Sequence, residues 1–482
     1  MKKVSPAILL VNPWIHDFAA FDAWSKPLGL LYIASVLRAE GFSARIIDCL
    51  DWRHPSPRPG PKRLDNGSGH FRKTEIPKPA SIAHIPRKYS RYGMDPLDFR
   101  RDLLSHEKPD AVFITSMMTY WYPGVFEAIG IVKKCLPGVP VVLGGIYATL
   151  CPDHALKFSG ADLVVTGDVL PAAPGRVHLS SAAGGRMRTP SNLQGILEEV
   201  VGCALDMHSR YDSLDALPYP AYDLLPAPDV VALVTSRGCP YSCTYCASPY
   251  LHESFETRDP HAVVDEIAFW NGQMGIRNFS FYDDALLVDS KNRAVPMLEE
   301  IIRRKLDCSF HCPNGLHIRE INRQTASLLY RAGFKTLRFG LETAGAREQI
   351  EFDVKVSDEE AEQAVRYLIE AGYRGEDIGM YLLCGLPGQE VSNVMAGIAF
   401  VASLGAYPII TEYSPIPGTF LWHDAVAVSS LDLEKEPLFH NNTILPCGGA
   451  TMSTTARQDV KTAARACRKT LIQGGETISM HA

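Results

Sequence analysis

The sequence predicts an α/β protein in which a doubly wound, Rossmann-like parallel sheet precedes a six-unit (β/α)6 partial parallel barrel. Three observations predict it. Apolar strand-like runs alternate with amphipathic helical stretches through about residue 167. A Pro-rich irregular run, SLDALPYPAYDLLPAPD, follows at 213–229, and a second alternating series opens at Val230.

In the first series AILLVN reads as a buried strand, and PLGLLYIASVLRAEG as an amphipathic helix closing on Gly41. SARIIDCL is the next strand. PDAVFITSMMT, the helix VFEAIGIVKKCLPG stopped by Pro and Gly, VPVVLGG and ADLVVTG continue the alternation. Residues 53–101 interrupt it with twelve Lys or Arg, four Asp or Glu and eight Pro. With neither helical nor strand period, they predict an insertion laid over the surface as a loop or lid. The Gly/Ser/Pro-rich stretch 171–190 reads as a shortened or flexible connection.

In the second series VVALVTSRG is the first strand, and a helix from Pro260 has Asp259 as its N-cap. RNFSFYDDALL, CSFHCPNG and TLRFGLET are strands two to four. Ser357 and Glu360 form a capping box before a helix to Ala371, and GMYLLCGLPG and PIITEYSPIPGT are strands five and six. The expected organisation is 1–205 with an insertion at 53–105, a linker at 206–230, the barrel at 231–425 and a partly helical extension at 426–482. Ligand sites are expected at the carboxyl ends of the strands in both units.

Composition narrows the function classes. Among 482 residues 46% are hydrophobic and 21% charged, as in globular proteins. The net charge of −6 has the wrong sign for a chain that coats nucleic acid. No apolar run approaches the length of a membrane span, and the apolar start AILLVN is too short for a signal peptide. A cytoplasmic setting is expected, where twelve cysteines point to thiol, metal or redox chemistry before disulfides.

The cysteines concentrate at the end of the first barrel strand. Cys239, Cys243 and Cys246 are spaced C-x3-C-x2-C in RGCPYSCTYCASP. Three neighbouring thiolates can each hold one iron of a 4Fe–4S cluster, leaving the fourth iron open for chemistry. A structural zinc loop or plain buried thiols are the other readings. Zinc needs a fourth ligand at tight spacing, and the loop offers none, with His252 six residues beyond Cys246.

The triplet, with aromatic Tyr245 before its last cysteine, resembles the radical S-adenosylmethionine (radical SAM) superfamily over about residues 231–420. The resemblance implies that the open iron chelates SAM, whose reductive cleavage yields a 5′-deoxyadenosyl radical that abstracts hydrogen from substrate. It also implies cofactor contacts from Tyr245 and from Tyr282-Asp283-Asp284-Ala285, which stands where the family usually has Gly-Gly-Glu. By the same resemblance, the segment with Glu342 lies near the ribose and carboxylate of SAM, Gly385 in LCGLPG packs on adenine, and Ser414–Thr419 forms the last turn. Cys384, at the end of strand five, is a candidate hydrogen donor to a substrate radical.

The front unit resembles the cobalamin-binding domain of one branch of that superfamily. Val11-Asn12-Pro13, Pro27-Leu28-Gly29, Ser116-Met117-Met118 and Gly144-Gly145 carry this likeness. Small residues at strand ends let a cofactor lie against the backbone. Ser116, Met118, Gly144 and Gly145 are therefore the expected cobalamin contacts. The Asp-x-His-x-x-Gly loop that supplies a cobalt ligand is absent, although His16 is present. Tyr120-Trp121-Tyr122 follows the third strand as either a cofactor face or core filler.

The resemblance implies a cobalamin-dependent enzyme that methylates an unactivated carbon of a small-molecule or peptide substrate, fed by a reducing donor such as flavodoxin or ferredoxin. Cyclisation, oxidation or rearrangement with the same cofactors, a radical SAM enzyme without cobalamin whose front unit is a substrate or partner module, and a non-catalytic cofactor-binding sensor are the alternatives. Nucleic acid is not an expected partner.

Overall fold

The computed structural model describes residues 5–55, 60–170, 192–203, 210–252, 254–344, 356–449 and 452–479. The stretch 171–190, expected as a short connection, lies outside them. The chain forms two compact units, 1–228 with 434–440, and 229–433 with 441–482. Among the described residues no helix is long and apolar enough to cross a membrane.

In the first unit β1 (Ala7–Asn12) leads into the short β2 (Ile15–Asp17), and α1 (Leu28–Ala39) returns the chain to β3 (Ser43–Asp48). After β4 (Lys73–Glu75), β5 (Ser90–Tyr92) and α2 (Pro96–Leu104) come β6 (Ala111–Ile114) and α3 (Tyr122–Cys135). Then follow β7 (Val141–Leu143), α4 (Ile146–Leu150), α5 (Pro152–Phe158), β8 (Leu163–Val164) and α6 (Leu193–Val201). The parallel order β3-β1-β6-β7-β8 is doubly wound. Near-continuous apolar strands such as AILLV are what a sheet buried on both faces requires.

Two expectations change here. The insertion is not strandless: β5 pairs antiparallel with both β2 and β4 in a three-stranded sheet, and α2 follows with Asp95 as N-cap. Each of these strands has three residues, too few for a period of two to register in sequence. Several of the insertion's cations answer carboxylates, Arg63 meeting Asp22 at 2.8 Å and Arg91 meeting Glu127 at 2.5 Å. The described part of the expected linker is packed rather than loose. Tyr211, Leu214, Leu217, Ala221, Tyr222 and Leu225 are buried, and Ala221 donates its N–H to Leu31 of α1. Its prolines prevent regular structure without preventing burial.

The second unit opens with β9 (Val230–Leu233) and β10 (Ser236–Arg237), then α7 (Ser248–Leu251), β11 (Glu256–Thr257) and α8 (Pro260–Met274). As expected, Asp259 caps α8, accepting from the N–H groups of His261 and Ala262. The barrel continues through β12 (Asn278–Phe281), α9 (Ala294–Arg304), β13 (Ser309–His311), α10 (Arg323–Ala332) and β14 (Phe334–Glu342). Next are α11 (Asp358–Ala371), closed by the Ser357/Glu360 capping box, β15 (Ile378–Cys384), α12 (Val391–Ser403) and β16 (Tyr407–Glu412). Parallel strands β9, β12, β13, β14, β15 and β16 lie in chain order, an open six-stranded barrel sheet. Phe279, Phe281, Phe310, Phe334 and Phe339 fill its core, with Phe281 and Phe334 stacked at 5.5 Å.

The tail adds α13 (Trp422–Val428) and α14 (Thr454–Ser479). Between them the chain revisits the first unit. Tyr122 donates its hydroxyl hydrogen to Glu436 at 3.0 Å, and the buried His440 ring nitrogen lies 2.9 Å from the Thr119 hydroxyl.

Candidate active site

Cys239, Cys243 and Cys246 lie on the loop between β10 and α7, past the carboxyl end of β9. Cys243 is buried, and the other two keep partial exposure. Gly238 makes the entry possible: its φ is +78°, and a Cβ there would stand 2.5 Å from the Ser254 carbonyl. Cys246 donates its N–H to the Cys243 carbonyl, so the last two cysteines share one turn.

Protein nitrogens approach two of the sulfurs. The Ser248 N–H donates to Cys246 Sγ at 3.4 Å, and His317 Nε2 stands 3.8 Å from Cys239 Sγ. Among the described residues no three His, Cys, Asp or Glu side chains gather tightly enough to grip a single ion. A 4Fe–4S cluster asks something different, since each thiolate takes its own iron across the face of a cube. Three thiols on one loop, two of them partly accessible and each approached by a protein nitrogen, fit that demand.

Asp283 and Asp284 follow β12. Asp283 is buried and accepts from Thr235 N, Thr235 Oγ1 and Ser236 Oγ at 2.6–3.1 Å. Burial raises its carboxyl above the usual range, against these donors and the Arg293 charge. Asp284 accepts from the Ser248 hydroxyl at 2.6 Å. Tyr245 is half-buried on the cysteine loop.

Glu342 ends β14 with φ +63°, an uncommon value for a residue with a Cβ, next to a register shift between Gly340 and Glu342. Backbone strain of this kind re-aims a side chain at the strand end. Gly385 follows β15 with φ +89° and donates its N–H to Gln389 Oε1 at 2.9 Å. Gln389 is buried and also donates to the Leu383 carbonyl, holding the turn from inside. Cys384 is fully buried with its thiol 3.8 Å from Met452 Sδ, and burial pushes it up to about 11. That is the packing of a core thiol.

In the first unit Ser116 is buried, and its hydroxyl donates to the Gly144 carbonyl at 2.7 Å and accepts from Ala148 N at 3.3 Å. Gly145 has φ +95°, and a Cβ there would lie 2.3 Å from the Ser116 carbonyl. A Cβ on Gly144 would meet nothing nearer than 3.9 Å. Met118 and Ile146, beside this turn, expose large apolar side chains. His16 is buried and paired with Glu127 at 2.9 Å. The aromatic run after β6 is core-bound: Tyr120 is buried, Trp121 donates to Asp17 and Tyr122 to Glu436.

The profile "Radical SAM superfamily" matches residues 233–400, from the end of β9 into α12. Residues 233–400 thus form a radical SAM domain. An uncharacterized methyltransferase of Pyrococcus horikoshii is 26% identical over 414 residues, 83% of this chain and 78% of that protein. The cytidylyl-2-hydroxyethylphosphonate methyltransferase of Streptomyces wedmorensis is 22% identical over 475 residues, 89% of this chain and 83% of its own. Among solved structures, the radical SAM methyltransferase TsrM of Kitasatospora setae, with tryptophan and a SAM analogue bound, aligns with TM-score 0.61 at 18% identity. That alignment covers 89% of this chain and 78% of TsrM, so the fold likeness runs through both units of this radical SAM enzyme.

Ser248, His317 and Gln389 went unnoticed in the sequence. Ser248 carries a faint signal as the second residue past the last cysteine. His317 and Gln389 are far in sequence from what they touch or face only backbone, and one sequence offers no sign of either.

Proposed function

We propose that this radical SAM enzyme uses a 4Fe–4S cluster and cobalamin to methylate an unactivated carbon of a small-molecule or peptide substrate. The observation that carries the reading is one chain holding both a three-thiol loop at the end of β9 and a doubly wound sheet with a glycine turn at Gly144-Gly145. Relatives named as methyltransferases, and TsrM, which is also known with cobalamin and a [4Fe-4S] cluster bound, support it.

Cys239, Cys243 and Cys246 would hold three irons. Ser248 N–H and His317 would stabilise negative charge on two of the sulfurs. When bound, the cluster and SAM supply a carbon-centred radical, and cobalamin supplies a transferable methyl group. Glu342 and Gly385, at the ends of β14 and β15, would receive the polar and adenine ends of SAM. Gly144, open above its backbone, and the exposed Met118 and Ile146 would offer a shelf to a flat macrocycle. His16 lies against Glu127, so this histidine would not serve as a ligand to the cobalt. A low-potential electron donor and a reducing, cytoplasmic setting follow from the cluster's chemistry.

The test is anaerobic purification, cluster reconstitution and addition of hydroxocobalamin, followed by iron, sulfide and corrin counts and turnover with methyl-labelled SAM. About four irons, a retained corrin and label in a product carbon are expected. Loss of corrin on gel filtration would remove cobalamin from the reading, and an unlabelled product would remove methyl transfer. Cys239→Ala, Cys243→Ala and Cys246→Ala should each abolish SAM cleavage while the corrin stays bound.

A further inference from the structure

We propose that Asp283 and Asp284 are positioning residues that clamp the two legs of the cysteine loop, with Ser248 passing the clamp to the Cys246 sulfur. The inference rests on reading Cys246 as a cluster ligand. The family resemblance would give both carboxylates to SAM, but their hydrogen bonds give them different work.

The two adjacent carboxylates serve separate partners. Asp283 takes the entering leg, accepting from Thr235 N at 2.9 Å, Thr235 Oγ1 at 2.6 Å and Ser236 Oγ at 2.8 Å. Arg293 supports it from behind, donating to Thr235 Oγ1 at 3.1 Å and to the carbonyls of Ala285 and Val288. Asp284 takes the leaving leg through Ser248 Oγ at 2.6 Å. Both aspartates follow β12, whose Phe281 pairs in register with Leu233 of β9. The two legs are thus referenced to one rigid pair of parallel strands.

Ser248 makes two bonds of different kinds. Its hydroxyl donates to Asp284, and its backbone N–H donates to Cys246 Sγ at 3.4 Å. The hydroxyl bond fixes where the N–H points. A hydrogen bond to a cluster sulfur stabilises the more negative, reduced state and raises the reduction potential. The carboxylate therefore tunes the cluster through a serine, without touching iron or SAM.

The test compares Ser248→Ala and Asp284→Ala with the conservative Ser248→Thr and Asp284→Asn in the full chain. Without metal, hydrogen exchange at the Ser248 amide should speed up about tenfold in the alanine variants, the worth of one hydrogen bond. With the cluster reconstituted, their reduction potential should fall at unchanged iron content, and the conservative variants should recover it. Wild-type exchange in both alanine variants overturns the clamp. Faster exchange with an unmoved potential overturns the link to the sulfur. If the wild-type chain takes up no cluster on the three cysteines yet exchange still speeds up, the cluster reading falls and the clamp on the loop stands.

Discussion

His317 brings its Nε2 to 3.8 Å from the Cys239 sulfur, from a loop far downstream in the sequence. The imidazole is buried, and its ring lies 4.8 Å from the Tyr241 ring, which limits how far it can swing. Between them, His317 and Ser248 bring a nitrogen to the first and last thiols of the triplet.

With its proton on Nε2, the imidazole would donate to the thiolate and stabilise its charge. His317→Leu is therefore expected to lower the cluster's reduction potential and slow reductive SAM cleavage while iron content holds. Redox titration followed by electron paramagnetic resonance reads the shift. A wild-type potential in the variant would show that the histidine only packs.

Asp48 closes β3 and gives the first unit a pH signature. Burial pushes its carboxyl up to about 6, against hydrogen bonds from Asn12 Nδ2 at 2.7 Å and Leu50 N at 3.0 Å. Unfolded, the group titrates near 3.9. Between those values the folded state binds more protons, so stability falls as pH rises from about 4 to 6 and levels off above. Two units correspond to about 3 kcal/mol, and the part of Asp48 still in water trims this to about 2 kcal/mol. Asp48→Asn should gain up to that amount at pH 7.5 and little at pH 4. Urea midpoints at the two pH values check it, and an equal gain at both would refute the assignment.

The parallel elements and the cysteine triplet were legible in the sequence because each rests on a local pattern. Apolar strands such as Val230–Leu233 and Ile378–Cys384 run long enough to register, and Ser357 with Glu360 announces its helix within four residues. What failed to show depends on contacts distant in sequence. Residues 90–92 become a strand by pairing with β2, and residues 73–75 by pairing with 90–92 in turn. Glu436 and His440 join the first unit through Tyr122 and Thr119, more than 300 residues away. Asp284 looks like a surface charge until Ser248 is beside it.

Gly145 admits a direct stability test. At φ +95° and ψ −171° it occupies a region nearly reserved for glycine, and an added Cβ would collide with the Ser116 carbonyl. Gly145→Ala should cost about 3 kcal/mol or more. Ser116→Ala, which removes the bonds to Gly144 and Ala148, should cost about 1 kcal/mol. Denaturant unfolding orders the two, and the reverse order would mean that the hydroxyl, not the backbone, sets this turn.

Glu412, the last residue of β16, ties the C-terminal helix to the edge of the barrel. Its carboxylate is largely buried and receives Arg457 Nε at 2.5 Å, Lys461 Nζ at 2.6 Å and also Arg457 Nη2, while Arg457 Nη1 reaches the Thr443 carbonyl. An edge strand presents unpaired backbone groups, and a helix laid against it protects them. Removing one partner from a buried charge network strands the rest, so Glu412→Gln should cost about 3 kcal/mol, more than an exposed ion pair is worth. Hydrogen exchange in α14 and along β16 should rise together, because the helix and the edge strand would open as one unit. As a control, Arg366→Gln on the exposed Arg366–Glu362 pair should change stability by less than about 0.5 kcal/mol. If α14 exchanges faster while β16 stays protected, the helix is held at this edge without shielding it, and the tail does not brace the last barrel strand.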